Sequence, residues 1–160
     1  MQKITLITVG NLKEKYLREA FNEYSRRLSP LCKFTLVELP EGFLPSNPSD
    51  KQIEACLEEE GKKILASIPD NCDVLPLCVE GTQLSSEELA LYFEKSASKG
   101  KSGICFIIGG SHGLSDKVKM RADKKLSFSK MTFPHQLFRV MCMEQIYRAY
   151  MINSGTKYHK

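Results

Sequence analysis

No apolar run in this chain approaches the roughly 20 residues that a membrane-spanning helix needs. The opening stretch, MQKITLITVGNLKEKY, turns charged again too soon to act as a secretory signal. A cytoplasmic protein with no membrane partner is therefore expected. Cys-x-x-Cys spacing is missing among the six cysteines, and the three histidines stand far apart, so no metal site is expected. Cys78, Cys105 and Cys142 lie in apolar stretches, where a free cysteine behaves as a small core residue, which argues against a disulfide framework. No internal repeat or low-complexity linker divides the chain, so residues 1–160 read as one domain.

What is present suits a soluble globular fold: 42% hydrophobic and 26% charged residues, in a chain long enough to bury a core unaided. Charge is unevenly divided. Residues 1–80 hold ten Lys/Arg against thirteen Asp/Glu, a net of −3; residues 81–160 hold thirteen against six, a net of +7. Two readings of the basic half stand open. It is a solvated face of a mildly basic protein, or it receives a polyanion such as nucleic acid.

Along the chain, strands and helices alternate. QKITLITVG (2–10) is β-branched and ends in glycine, a strand. Tyr16, Leu17, Ala20, Phe21, Tyr24 and Leu28 follow at helical spacing, and KFTLVELP (33–40) is a second strand. Residues 41–48, with a glycine and two prolines, form a loop. Ser49 with Gln52, and Ser85 with Glu88, are capping boxes that open two further helices. CDVLPLCVEG (72–81) is a strand that tolerates Pro76 only at an edge, an end or a bulge. Residues 104–108 are apolar on both faces, as in the middle of a covered parallel sheet. Ser115 caps a short helix through Ala122, residues 125–129 make a last strand, and a helix spans 135–153. The fold class is α/β, with a mostly parallel sheet flanked by helices.

That last helix carries Leu137, Phe138, Val140, Met141, Met143, Ile146, Tyr147, Tyr150 and Met151, more than one apolar stripe. A face left over after packing on the sheet is best buried against a twin helix, which predicts a homodimer.

Two bends face a small molecule in this scheme: Gly109-Gly110-Ser111-His112-Gly113 after a strand, and the segment before Pro134. Glycines let a flat ligand approach the main chain. The spacing does not match the Gly-x-Gly-x-x-Gly dinucleotide fingerprint, and no Walker A sequence occurs, so a phosphate cradle is poorly supported.

Four segments together resemble the RlmH family of SPOUT-class methyltransferases: GNLKEKYLREAFNEYSRRL, FIIGGSHGL, SFSKMTFPHQLFRVMCMEQIYRA and the closing YHK. The resemblance covers essentially the whole chain. It implies a C-terminal trefoil knot, a homodimer, and transfer of a methyl group from S-adenosylmethionine to N3 of a pseudouridine in large-subunit ribosomal RNA within the ribosome. It also implies a cofactor site at Leu77, Gly109, Phe128, Ser129, Lys130, Met131, Thr132 and Phe133. Adenine held by main-chain groups and by apolar side chains such as Leu77, Met131 and Phe133 is physically reasonable.

Methyl transfer of this kind rests on positioning, with a base or cationic donors handling the weakly acidic N3–H. Tyr158, His159 and Lys160 are the catalytic candidates, because a titratable residue in a chain-end tail has little structural reason to be there. The tail is expected to fold over a site, that of a partner subunit. His135 serves as a helix N-terminal residue in preference to a base. His112, Arg139 and Arg148 are candidate substrate contacts, although His112 is equally a turn residue and Glu144–Arg148 equally an intrahelical pair. The competing readings are a knotted methyltransferase with another RNA target and a non-catalytic, ribosome-associated nucleotide-binding dimer.

Overall fold

The computed structural model describes residues 1–160. Ten elements alternate along it: β1 (Lys3–Val9), α1 (Lys15–Leu28), β2 (Lys33–Leu39), α2 (Asp50–Ser67), β3 (Cys72–Gln83), α3 (Ser86–Ser98), β4 (Gly103–Ile108), α4 (Asp116–Met120), β5 (Leu126–Ser127) and α5 (His135–Asn153). The strands form one five-stranded sheet in the order β2-β1-β4-β3-β5, with every neighbouring pair parallel. No helix is long and apolar enough to cross a membrane.

The alternation of buried segments produces two cores, one on each face of the sheet. On one face, Ile4, Leu6 and Phe106 pack with Phe21 of α1, Phe93 of α3, and Cys142, Met143 and Ile146 of α5. On the other, Ile7, Val74 and Ile107 pack with Ile64 of α2 and Val118 of α4. Each such side chain contributes roughly 1.5–3 kcal/mol on full burial. The β4 strand is buried along its whole length, because its residues point alternately into these two cores.

Both capping boxes form. Ser49 Oγ accepts from the Gln52 N–H while Gln52 Oε1 accepts from the Ser49 N–H, and Ser85 and Glu88 repeat the arrangement. Pro76 is the last residue of β3 paired with β4 and stands immediately before an irregularity between Leu77 and Thr82, where its missing N–H does no harm.

Three elements differ from the sequence reading by two residues at their C-terminal end. β3 runs on to Gln83 rather than Gly81. β5 is two residues long, not five, since Leu126 pairs with β3 on both sides of the irregularity and the ladder cannot continue. α4 stops at Met120, short of Ala122, as Asp123 is drawn to β3: its N–H donates to Val74 O at 2.9 Å and its Oδ2 accepts from Val74 N–H at 2.8 Å.

Helix α5 lies between α1 and α3, so its flanks are covered within the chain to a greater extent than its late position suggested. Tyr147 meets Tyr24 of α1, and Asn153 donates to Ala90 O of α3. One strip is covered only in part, with Leu137 exposed and Met141, Glu144, Arg148 and Met151 half-buried at helical spacing.

Candidate active site at the carboxyl ends of the strands

Ligands of open α/β sheets bind in crevices beyond the carboxyl ends of strands. Here a cavity of about 390 Å³ occupies that position, where β3, β4 and β5 end. Three segments and one side chain wall it. Leu77 to Glu80 come from β3, Ile108 to Ser111 with Gly113 and Leu114 from the turn after β4, and Ser127 to Ser129, Met131 to His135 and Phe138 from the passage between β5 and α5, while Lys119 reaches in from α4.

The glycine turn is tight for a steric reason. A Cβ on Gly109 would lie 2.3 Å from the Gly113 carbonyl oxygen, closer than any real contact. Gly113 itself holds φ +82°, and its N–H returns to Gly110 O at 3.1 Å. The second bend is tied by serines: Ser127 Oγ donates to Ser129 O, and the Met131 N–H donates to Ser129 Oγ, both at 3.0 Å. Phe138 braces it from α5, stacked on Phe133 and edge-on to Phe128.

Seven of the eight positions implied to hold the cofactor line this one cavity: Leu77, Gly109, Phe128, Ser129, Met131, Thr132 and Phe133. Lys130 is exposed and outside the lining, and Met131 stands at the rim with 73% of its surface open. His135 is the first residue of α5, as expected, and also borders the cavity.

An ion pair at the mouth escaped the sequence reading. Lys119 Nζ lies 2.6 Å from Glu80 Oε1. The hydrogen bond with Lys119 holds the Glu80 carboxyl below its ordinary range, and the same contact raises the Lys119 ammonium. The two residues are 39 positions apart, on elements whose adjacency only the sheet order reveals. Cys78 sits on the same wall, its thiol raised by burial and then by the Glu80 charge.

The remaining candidates lie elsewhere. Arg139, expected as an RNA contact, is an interior residue at 1% exposure. It donates to Glu38 Oε2 at 2.8 Å and to Gly10 O at 2.9 Å, so its two terminal nitrogens tie α5 to the ends of β1 and β2, while its buried Nε finds no partner. Arg148 does form the intrahelical pair, its Nε and Nη2 both donating to Glu144 Oε1. His112 is exposed beside Ser111, whose Oγ is 3.2 Å from His112 Nδ1.

The tail rests on α5 and α3 of its own chain and does not line its own chain's cavity. Tyr158 stands edge-on to Tyr147 with the Arg148 guanidinium 4.7 Å from its ring centre. His159 Nδ1 is 3.2 Å from Arg148 Nη1, and its Nε2 is 2.6 Å from Glu87 Oε1. Arginine only donates, so Nδ1 accepts and Nε2–H donates, which selects one neutral tautomer.

Comparison with known proteins agrees with this geometry. The family described as "Predicted SPOUT methyltransferase" matches residues 2–159. Ribosomal RNA large subunit methyltransferase H of Clostridium botulinum (strain Alaska E43 / Type E3) is 54% identical over 157 residues, covering 98% of this chain and 99% of that protein. The protein of the same name from Clostridioides difficile (strain 630) is 52% identical over the same shares. Among solved structures, a probable methyltransferase from Bordetella pertussis Tohama I superposes with TM-score 0.57, covering 93% of this chain and 95% of that one. At 11% identity that likeness speaks for the fold alone. With its parallel sheet, its cavity at the strand ends and a full-length family match, the chain belongs to the SPOUT methyltransferase family, within the RlmH group.

Proposed function

We propose that the protein methylates N3 of a pseudouridine in large-subunit ribosomal RNA, using S-adenosylmethionine, as a cytoplasmic homodimer acting on the assembled ribosome. The observation that carries this reading is the convergence of the two bends on one cavity. That cavity has the volume and the mixed main-chain and aromatic lining suited to an adenosyl group. The full-length relatives named as ribosomal RNA large subunit methyltransferase H support the RNA class.

The donor supplies an electrophilic methyl whose S–CH3 electron pair stays on sulfur as the new N3–CH3 bond forms. The protein's share is placement. Leu77, Phe128 and Phe133 exclude water and grip the flat part of the donor, while the bare main chain at Gly109 allows close approach. The N3 proton leaves to a base or to water, and the resulting ring anion is stabilised by cationic donors. Tail residues Tyr158, His159 and Lys160 fill that role in the partner's site, a reading favoured by their position away from their own cavity. The strip of α5 in which Leu137 is exposed and Met141 half-buried supports a twin-helix interface. A knotted C-terminal path goes with this reading on the strength of the full-length family match.

Mass-spectrometric mapping of ribosomes incubated with protein and isotopically labelled donor tests the reading. Label on a pseudouridine N3 of the large subunit is expected. Label on another nucleotide supports a different RNA target, and donor binding without transfer supports a non-catalytic protein.

A further inference from the structure

A second cavity, of about 440 Å³, adjoins the first, and Gly110 and Ser111 line both. The glycine turn and His112 form its near wall; residues 41–48 and α2 form the far wall. Glu60 reaches into it from α2 with only 8% of its surface exposed. Its Oε2 accepts from the Gly42 N–H at 2.7 Å and lies 3.8 Å from Cys56 Sγ, whereas Oε1 has no partner within the chain. Residue 42 is held close: a Cβ there would lie 2.5 Å from Cys56 Sγ. The loop is thus drawn down on one carboxylate oxygen while the other is left to the cavity.

A carboxylate removed from bulk water is costly unless donors reach it. No lysine or arginine lines this cavity, so its chemistry repels a phosphate and suits a neutral ring that offers an N–H. We infer that the second cavity receives the target base, with Glu60 Oε1 accepting the ring N1–H. The inference rests on the pseudouridine reading and adds the residue that recognises the isomer. Pseudouridine is joined to its sugar through carbon, so N1 and N3 both carry hydrogen, on either side of the C2 carbonyl. Uridine has its sugar on N1 and lacks that donor. Methylation consumes the N3–H and leaves N1–H intact. A ring that turns N3 past Gly110 and Ser111 toward the first cavity presents N1–H to a different wall, where Glu60 stands.

The test compares ribosomes carrying pseudouridine, uridine or 1-methylpseudouridine at the target position. The unaltered protein should favour pseudouridine over both others by about tenfold to a hundredfold in kcat/KM, the discrimination expected of a buried hydrogen bond to a charged acceptor. Glu60→Gln keeps an oxygen for the Gly42 N–H but replaces the free oxygen with a donor. It should lower kcat/KM on pseudouridine and bring the ratio to uridine near unity, with donor affinity by calorimetry and ribosome cosedimentation unchanged. Equal use of 1-methylpseudouridine and pseudouridine by the unaltered protein would overturn the inference, since that readout needs no variant. So would an undiminished preference in E60Q. Both results leave the proposed activity standing. Absence of transfer to any of the three ribosomes is the failure of the proposed function itself, and the inference goes with it.

Discussion

Arg139 and Glu38, 101 residues apart, form an ion pair in which the arginine is sealed in the interior and the glutamate is half-exposed. Burial pulls the Arg139 pKa down and the Glu38 charge opposes that pull. The pair therefore locks α5 to the sheet without reaching solvent as an RNA contact would. Arg139→Ala leaves the Gly10 carbonyl without its donor and opens a cavity, while Glu38 still reaches water, and should cost about 2–5 kcal/mol in urea denaturation. Combining Arg139→Met with Glu38→Gln should recover much of that loss. A stable R139A whose ribosome affinity falls steeply with salt would instead make Arg139 a phosphate contact.

Gly109→Ala places a methyl group against the Gly113 carbonyl, and both sides of that clash are main chain. Neither can rotate away, so the turn must open, at about 1–3 kcal/mol for overpacking. The same movement reshapes the cavity proposed for the donor, so calorimetric donor affinity should fall by at least about tenfold. Donor binding unchanged in G109A would show that the ligand does not depend on this turn.

The two bends that border the cavity were legible from residue types because glycine and proline advertise abrupt turns. The bounds of α5, 135–153, were read correctly from a run that ends at a polar, glycine-containing stretch. Strand order was not legible: nothing local tells β4 to insert between β1 and β3, and the Glu80–Lys119 pair depends on that insertion. Arg139 misled for a related reason. An arginine on a greasy helix is as readily a surface contact as an interior strut, and only the position of Glu38 on β2 decides. Glu60 sits among other glutamates in LEEEGKK and gave no sign that it alone turns inward, which the fold of loop 41–48 onto α2 determines.

The strip on α5 predicts an interface. Leu137 is 42% exposed, and Met141 follows one turn later on the same side. The unaltered protein is expected to sediment as a dimer in analytical ultracentrifugation, and Leu137→Glu with Met141→Glu as a monomer. Chain folding should survive, because neither residue belongs to the buried set of α5. Dimers that persist in this variant would move the interface to another surface.

Six free cysteines provide a probe of the donor site, since five are buried and Cys78 alone is partly accessible on the cavity wall. Its thiol is raised from the ordinary 9.0, so the reactive thiolate is scarce at neutral pH and grows as pH climbs past that value. Iodoacetamide labelling followed by peptide mass spectrometry should be slow at pH 7, should rise above pH 9, and should be blocked by bound donor. Saturation at pH 8 would show that burial and Glu80 do not raise this thiol, and indifference to donor would place Cys78 away from the ligand.

The tail is the last point of leverage. Tyr158 and His159 are held by Tyr147, Arg148 and Glu87, and the His159 hydrogen bond keeps the Glu87 carboxyl below its usual 4.5. A carboxylate lowered by its partner supports docking above its unbound value and loses that support as pH falls through the lowered one. On the Glu87 side, docking should therefore be complete from pH 5 upward and should fail only as the medium becomes more acidic than the ordinary carboxylate range. Carboxypeptidase release of Lys160 should follow that course, and Glu87→Gln should speed release at pH 7. Deleting residues 158–160 should abolish methyl transfer while leaving donor affinity and the dimer unchanged, because none of the three lines the cavity of its own chain. Normal turnover by the truncated protein would remove the tail from the chemistry and leave its contacts with α3 and α5 as packing alone.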